Sequence, residues 1–341
     1  MRRVFWKKKH RVFPVLLFLF LDCGPRFQTL EFQGHTMGTS YSVKLVAPKN
    51  TDAKTLAQEI FATLEQVDHL MSNWLPDSEI NRFNRHRETT PFSLSPATAT
   101  VISEALRVAR LTGGALDITA GPLIDRWGFG AKADQPIPEQ EELEQLLQQC
   151  GFHHLYMEGQ TARKDIPELQ VNLSSLAKGY AVDLAAEMLE KKGFADFMIE
   201  VGGEVVVKGL KDQKTPWRIA IQAPNARYRP EIYKIAQPGD KAMATSGDYR
   251  NFFIHEGRRY SHILDPRTGR PVPPTIASAT VLADGCMTAD ALATAFMILP
   301  PEESIAIAAR SPGVECLLLI REGEGLRELQ SPGMSAYLTP P

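Results

Sequence analysis

The chain has 341 residues, 43% of them hydrophobic and 23% charged, a globular composition that excludes an intrinsically disordered protein and allows one large domain or two modest ones. Its formal net charge of −2 is unevenly distributed: residues 1–22 hold six Lys and Arg and one Asp, so the remainder counts 32 bases against 39 acids, a formal −7. An acidic body speaks against a nucleic-acid partner.

Residues 1–23 read as an export signal. Arg2, Arg3, Lys7, Lys8, Lys9 and Arg11 form a basic head, and VFPVLLFLFL is an apolar run of ten, well short of the roughly 20 residues needed to span a bilayer. Cys23 follows where a lipoprotein signal places its acylated cysteine, with Gly24 after it. Phe20 and Asp22 depart from the usual leucine and small residue, which leaves an uncleaved anchor as the alternative. The expectation is an exported protein held by lipid on the periplasmic side of the inner membrane, with residues 27–341 as its functional domain.

Residues 35–48 alternate as a strand, and residues 52–71 carry helical apolar spacing through Leu56, Ile60, Leu64, Val67 and Leu70. A second helix is predicted over 95–111, with Ser95 as its cap and Pro96 in its first position. The polar, proline-bearing run 131–138 reads as a surface excursion and leads into an acidic helix, 139–149. LQVNL (169–173) alternates as a strand, and a helix follows from Ser174 or Ser175 to Lys192. FMIEVGG, EVVVKGL, WRIAIQAP, ASATVLA and CLLLI are strands, GRRYSHILDPRTGRPV is hairpin-like, and 286–300 is a buried helix. Strands and helices mix without βαβ alternation, so α+β is the predicted class.

Cys150, Cys286 and Cys316 lie far apart, with no CxxC pair and no histidine at zinc-ligand spacing. An oxidising compartment allows one disulfide among them, but an odd count leaves one thiol over, and all three sit in apolar surroundings suited to burial.

Several segments carry more polarity than packing requires. In CMTADALATAFMILP, Asp290 and Thr294 are four apart on one helix face, roughly 5–6 Å between Cβ atoms, so they can share a ligand or can serve as a helix cap and a back-bonded hydroxyl. In VNLSSLAKGYAVD, Ser174, Ser175, Lys178 and Gly179 gather hydroxyls and an ammonium at a helix start, suited to a phosphate or to capping and close packing. LTGGALDITAGPL, EVGGEV and MATSGDYR join glycine turns to polar company: Asp117 and Thr119, Glu200 and Glu204, and Thr245, Ser246, Asp248, Tyr249 and Arg250. His262 stands three residues before an Asp-Pro-x-Thr-Gly turn, where it can act as a general base or simply bond the turn.

Taken in order, MGTSYSV, GALDITAGPL, SLAKGYAVD, EVGGEV, ATSGDYR, HILDPRTG and TADALAT resemble the FAD:protein FMN transferases, the ApbE-like flavin transferases, over about residues 35–320. The resemblance implies a single mixed-sheet α+β domain of the T-fold-like type that takes FAD as substrate together with Mg²⁺ or another divalent cation. It implies cleavage of the FAD pyrophosphate and transfer of FMN to a Thr or Ser hydroxyl of an exported acceptor protein, releasing AMP. By motif match Asp290, Thr294 and the carbonyls of Ala177 and Ala293 are the metal ligands; Met37, Trp74, Ala115, Leu116, Asp117, Ser174, Lys178, Tyr180 and Ile263 surround the nucleotide; and His262 takes the hydroxyl proton. An FAD pyrophosphatase giving FMN and AMP, and a flavin-binding lipoprotein without turnover, share the same motifs.

Overall fold

The computed structural model describes residues 27–130, 137–224, 231–249 and 251–339. The predicted export signal with Cys23, residues 131–136 of the predicted excursion, and Arg250 of the ATSGDYR motif lie outside the described residues.

An eight-stranded antiparallel sheet organises the chain, and its spatial order is its chain order: β1 (Phe27–Thr36), β2 (Thr39–Pro48), β3 (Phe197–Val201), β4 (Glu204–Lys208), β5 (Ala242–Gly247), β6 (Ile276–Ala283), β7 (Glu315–Glu322) and β8 (Gly325–Gln330). Strand β6 is buried along its whole length, which explains why ASATVLA reads as an unbroken run of small and apolar residues rather than an alternating one.

The helices are α1 (Ala53–Met71), α2 (Glu79–Arg85), α3 (Pro96–Leu111), α4 (Gly121–Arg126), α5 (Gln140–Leu147), α6 (Ala177–Lys191), α7 (Cys286–Phe296) and α8 (Pro301–Arg310). Asp52 caps α1 by accepting from Lys54 and Thr55, and Leu56, Ile60, Leu64, Val67 and Met71 form its buried stripe. Ser95 caps α3, with Pro96 in the first turn as predicted. Helices α1, α3, α6 and α7 share the main core with Leu30, Phe32, Val43 and Leu45 of the first hairpin. A second cluster around Met243, Leu282, Leu317 and Leu319 is covered by a small sheet of Ile219–Gln222, Ile232–Ala236 and Leu338–Thr339.

Three expectations are corrected. LQVNL is not a ladder strand; it forms one isolated bridge, Ala120 to Gln170. Its alternation is real, since Leu169, Val171 and Leu173 are fully buried. At its centre, however, side chains satisfy the backbone: Val171 N donates to Asn84 Oδ1 at 2.7 Å, and Val171 O accepts from both Asn73 and Asn84 at 2.9 Å, while Asn172 N donates to the Ile118 carbonyl at 2.7 Å. Helix α6 begins at Ala177, not at the serines, because 174–176 form a turn in which Ser174 N donates to Asn172 Oδ1. Helix α7 ends at Phe296, and the apolar run to Leu299 continues as a tightened turn.

Candidate active site

Helices α6 and α7 cross so closely that a Cβ on Gly179 would lie 2.5 Å from the Cys286 carbonyl oxygen. The crossing brings together the two polar segments that stood out in the sequence. Gly179 N–H donates to Asp290 Oδ2 at 3.1 Å, so Asp290 does act as a cap, but of the neighbouring helix rather than its own. In return Asp183 of α6 accepts from the first backbone N–H groups of α7, Cys286 at 2.7 Å and Met287 at 2.8 Å. Burial pushes the Asp183 carboxyl up to about 6, against the pull of these two hydrogen bonds.

The Lys178 ammonium lies 3.6 Å from Asp290 Oδ2 and 3.3 Å from Glu204 Oε1. Glu204 opens β4 directly after the Gly202-Gly203 turn, where both glycines have positive φ and form a two-residue hairpin. Two buried carboxylates thus share one ammonium. Burial raises the Asp290 pKa and the Glu204 charge adds to it, while Lys178 opposes. Burial would lower the Lys178 pKa, but Asp290 and Glu204 outweigh it and hold the lysine protonated. Both directions express a local excess of negative charge around one ammonium.

Thr294, one turn beyond Asp290 on α7, is half-buried and stands 3.4 Å from Ser246 Oγ of β5. Met297 N donates to the Thr294 carbonyl rather than to that of Ala293, so the tightened end of α7 frees the Ala293 carbonyl from the usual helical donor. Ala177 is buried at the start of α6. Carboxylate, hydroxyl and carbonyl oxygens are hard donors that fit a Mg²⁺-like ion. Among the described residues no cluster of three or more His, Cys, Asp or Glu side chains stands ready for a metal, so a cation here relies on this mixed oxygen set.

His262 follows the hairpin of Phe252–His255 and Arg258–Ser261. Its N–H and its Nδ1 both lie 3.0 Å from the Asn251 carbonyl oxygen. A carbonyl can only accept, so the neutral ring carries its proton on Nδ1 and leaves Nε2 free to accept one. Burial lowers its pKa, with Lys178 acting in the same direction and the Asn251 bond and Asp248 opposing. Asp248 is itself locked by Arg321 through two contacts of 2.7 Å, which ties the end of the ATSGDYR motif to β7.

Met37 holds φ +48° in the turn between β1 and β2, an unusual conformation for a residue with a side chain. The β1–β2 turn reaches the lysine's neighbourhood, since a Cβ on Gly202 would lie 2.9 Å from Thr39 Cγ2 and 3.3 Å from Lys178 Cδ. Asp117 spends one oxygen on its own loop, accepting from Thr119 N at 2.8 Å and Thr119 Oγ1 at 2.6 Å, and the other on Phe152 N at 2.8 Å, tying the loop to the turn Phe152–His154. It thereby shapes the GALD loop, in which Ala115 and Leu116 are buried. A Cβ on Gly114 would come within 4.0 Å of Arg267, so this loop neighbours the DPRTG turn, where Ile263 is buried. Ser174 is exposed and Tyr180 half-buried, and Trp74 is 65% exposed in the loop between α1 and α2. A surface groove of about 500 Å³ between α3 and the start of α7 includes Glu104, Arg107, Gln160 and Met287 but none of the nominated residues, so it is not where this chemistry converges.

The profile of the ApbE family matches residues 37–318. This chain belongs to the ApbE family. It is 44% identical over 325 residues to the FAD:protein FMN transferase of Vibrio cholerae, covering 95% of this chain and 97% of that one. To the FAD:protein FMN transferase of Escherichia coli K12 it is 34% identical over 312 residues, 90% of this chain and 88% of the relative. Among solved structures it resembles flavin transferase ApbE from Vibrio cholerae, with a TM-score of 0.85 at 43% identity over 91% of this chain and 99% of that one. The apo flavinyl transferase ApbE of Pseudomonas stutzeri gives 0.83 at 33% identity over 93% and 98%.

Within this ApbE-family architecture, sequence reasoning overlooked Asp183, Asn81 and Asn84. Asn81 Nδ2 donates to the carbonyls of Asn73 at 3.0 Å and Leu75 at 2.9 Å, so it braces the Trp74 loop from α2. Asn84, three residues on and so on the same face, pins Val171 just before SLAKG. The only sequence signal was two asparagines spaced i, i+3 in a short segment that lacks a strong apolar period.

Proposed function

We propose that this ApbE-family chain is an FAD:protein FMN transferase. It moves FMN from FAD to a Thr or Ser hydroxyl of an acceptor protein and releases AMP. Two things support the reading: the relatives that match nearly its whole length carry that name, and Lys178 sits between the buried carboxylates of Asp290 and Glu204 while His262 keeps Nε2 free. The Lys178 constellation is the observation that carries it, because pyrophosphate cleavage needs positive charge at the bond that breaks and a base at the hydroxyl that attacks.

In this reading His262 Nε2 takes the proton of the acceptor hydroxyl as its oxygen bonds to the flavin-side phosphorus. The bond from that phosphorus to the bridging oxygen breaks, and AMP leaves with the bridging oxygen. Asn251 holds the imidazole in the required tautomer. Lys178 lies close to the pyrophosphate and offsets its charge. Asp290 and Thr294, with the carbonyls of Ala177 and Ala293, are the residues that would hold Mg²⁺ or another divalent cation. Such an ion neutralises phosphate oxygens and orients the leaving group. Met37, Trp74, Ala115, Leu116, Ser174, Tyr180 and Ile263 line the nucleotide site, and Asp117 serves it by setting the GALD loop as well as by any direct bond. The protein works outside the cytoplasm on exported electron-transfer subunits, anchored through lipid on Cys23 to the periplasmic side of the inner membrane.

The test mixes the protein with FAD, Mg²⁺ and a candidate exported acceptor, and follows AMP release and flavin fluorescence of the acceptor band. Chelator-sensitive AMP release with a fluorescent acceptor is expected. AMP with free FMN alone would favour a pyrophosphatase, and bound FAD without AMP a flavin carrier.

A further inference from the structure

Glu204 is 4% exposed, and its Oε2 is buried without a hydrogen-bond partner. A buried carboxylate oxygen in that state is costly, and native chains rarely keep one without a use. Its other oxygen holds Lys178 at 3.3 Å, although Asp290 at 3.6 Å already offers that ammonium a counter-charge. The turn before it is cut down to match: at Gly202, φ +65°, a side chain would press on both Thr39 and the Lys178 stem. The fold therefore keeps a side-chain-free turn and an unsatisfied oxygen where a second carboxylate stands beside this lysine.

We propose that Glu204 is a positioning residue for the divalent-cation site, holding the Lys178 ammonium in place when a cation occupies Asp290. The proposal rests on the reading that Asp290 carries that cation. The reason is charge arithmetic. Asp290, Glu204 and Lys178 together carry one negative charge, and a divalent cation brings the group to one positive. Without the Glu204 charge the same group would reach two positive charges in a buried, weakly screened place, and the ammonium and the cation would drive each other out. With Glu204 present, the lysine leans on its own carboxylate and leaves Asp290 to the metal. Both positive charges then remain available to a pyrophosphate.

The roles of the two residues predict effects of opposite sign on cation affinity, which a merely structural ion pair would not give. Mn²⁺ binding to the purified full chain without nucleotide, read from the electron paramagnetic resonance of free Mn²⁺, supplies the test. Glu204→Gln, nearly isosteric, is expected to weaken Mn²⁺ binding by about tenfold or more, and Lys178→Met to tighten it by about tenfold. The double variant is expected to return to within about threefold of wild type. Thermal unfolding in chelator checks that each variant folds, and if Glu204→Gln does not, the Lys178→Met result decides alone. Wild-type binding that Asp290→Asn removes but Glu204→Gln leaves unchanged would overturn this proposal and leave the cation reading intact. Weakening rather than tightening by Lys178→Met would do the same. An absence of Mn²⁺ binding in wild type would overturn the cation reading and this proposal with it.

Discussion

Asp183 and Asp290 cap each other's helices: Asp183 on α6 takes the first N–H groups of α7, and Asp290 on α7 takes the Gly179 N–H near the start of α6. The exchange fixes the crossing that presents Asp290 and Lys178 to a common point. It also gives the two aspartates separable roles. Asp183→Ala leaves two buried donors unpaired and should cost about 2 kcal/mol. Thermal unfolding would read this as a clear drop in Tm. Asp290→Ala should abolish divalent-cation affinity and transfer while the chain still folds. Normal Mg²⁺-dependent AMP release by Asp290→Ala would remove it from the metal site.

Gly179 is required by space rather than by backbone conformation. Gly179→Ala would force its methyl against the Cys286 carbonyl and Met287 Cα, both backbone and both within 2.7 Å. The helices would have to separate, at a cost of about 1–3 kcal/mol. Urea unfolding should show the loss, and cation affinity should fall with it. A variant of wild-type stability would mean that α6 and α7 cross less closely than described.

His262→Ala should retain FAD binding and slow transfer by roughly 10²–10⁴-fold. The neutral imidazole is the active form, so the rate rises with pH through the histidine's pKa. Because burial lowers that pKa beneath the usual 6.5, the acid limb of the pH–rate profile should fall below pH 6.5. A limb well above that value would assign the titration to another group.

Lys164 is fully buried, and its ammonium donates to the carbonyls of Leu169 at 2.8 Å and Asn84 at 3.2 Å and lies 5.3 Å from the centre of the Phe83 ring. Burial pushes its pKa from 10.5 down to about 8. Between those values the unfolded chain holds a proton that the folded chain has released, so this group makes stability rise with pH from about 8 to about 10.5. Below that window the burial penalty is present in full, at most about 3 kcal/mol. Unfolding midpoints of wild type and Lys164→Met from pH 7.5 to 10 should therefore diverge in slope, with the rise missing from the variant. Parallel curves would show that the lysine is charged and solvated when folded.

Cys150, Cys286 and Cys316 are free and buried, and burial raises all three thiols, Cys150 and Cys316 to about 12. None should react with a thiol reagent in the native protein, and all three should react once it is unfolded. Rapid native-state labelling mapped to any of these three positions by peptide mass spectrometry would contradict their burial.

Much of the fold was legible because local patterns coincided with tertiary need. The stripe of α1 follows from helical spacing, the Ser95 cap from a serine before a proline, and the strands β3, β4, β6 and β7 from short β-branched and apolar runs. LQVNL shows where that logic stops: alternation reports which side chains are buried, not what satisfies the backbone, and here Asn84 of α2 and Asn73 of the loop before it hold Val171 in place of a neighbouring strand. The serines of SLAKG misled for a similar reason, since Asp290 from another helix supplies the bond that a local cap would have made.

By itself the sequence determined the class of fold, the family motifs and the residue types that carry the chemistry, because periodicity and side-chain chemistry are properties of short segments. Only the tertiary structure decided that Asp290 caps a foreign helix, that Asp183 answers it, that Asn251 leaves Nε2 of His262 free to accept a proton, and that Glu204 shares Lys178 with Asp290. Each of these depends on two segments meeting within about 3–4 Å, and a charge or donor acquires its role from the partner that folding brings to it.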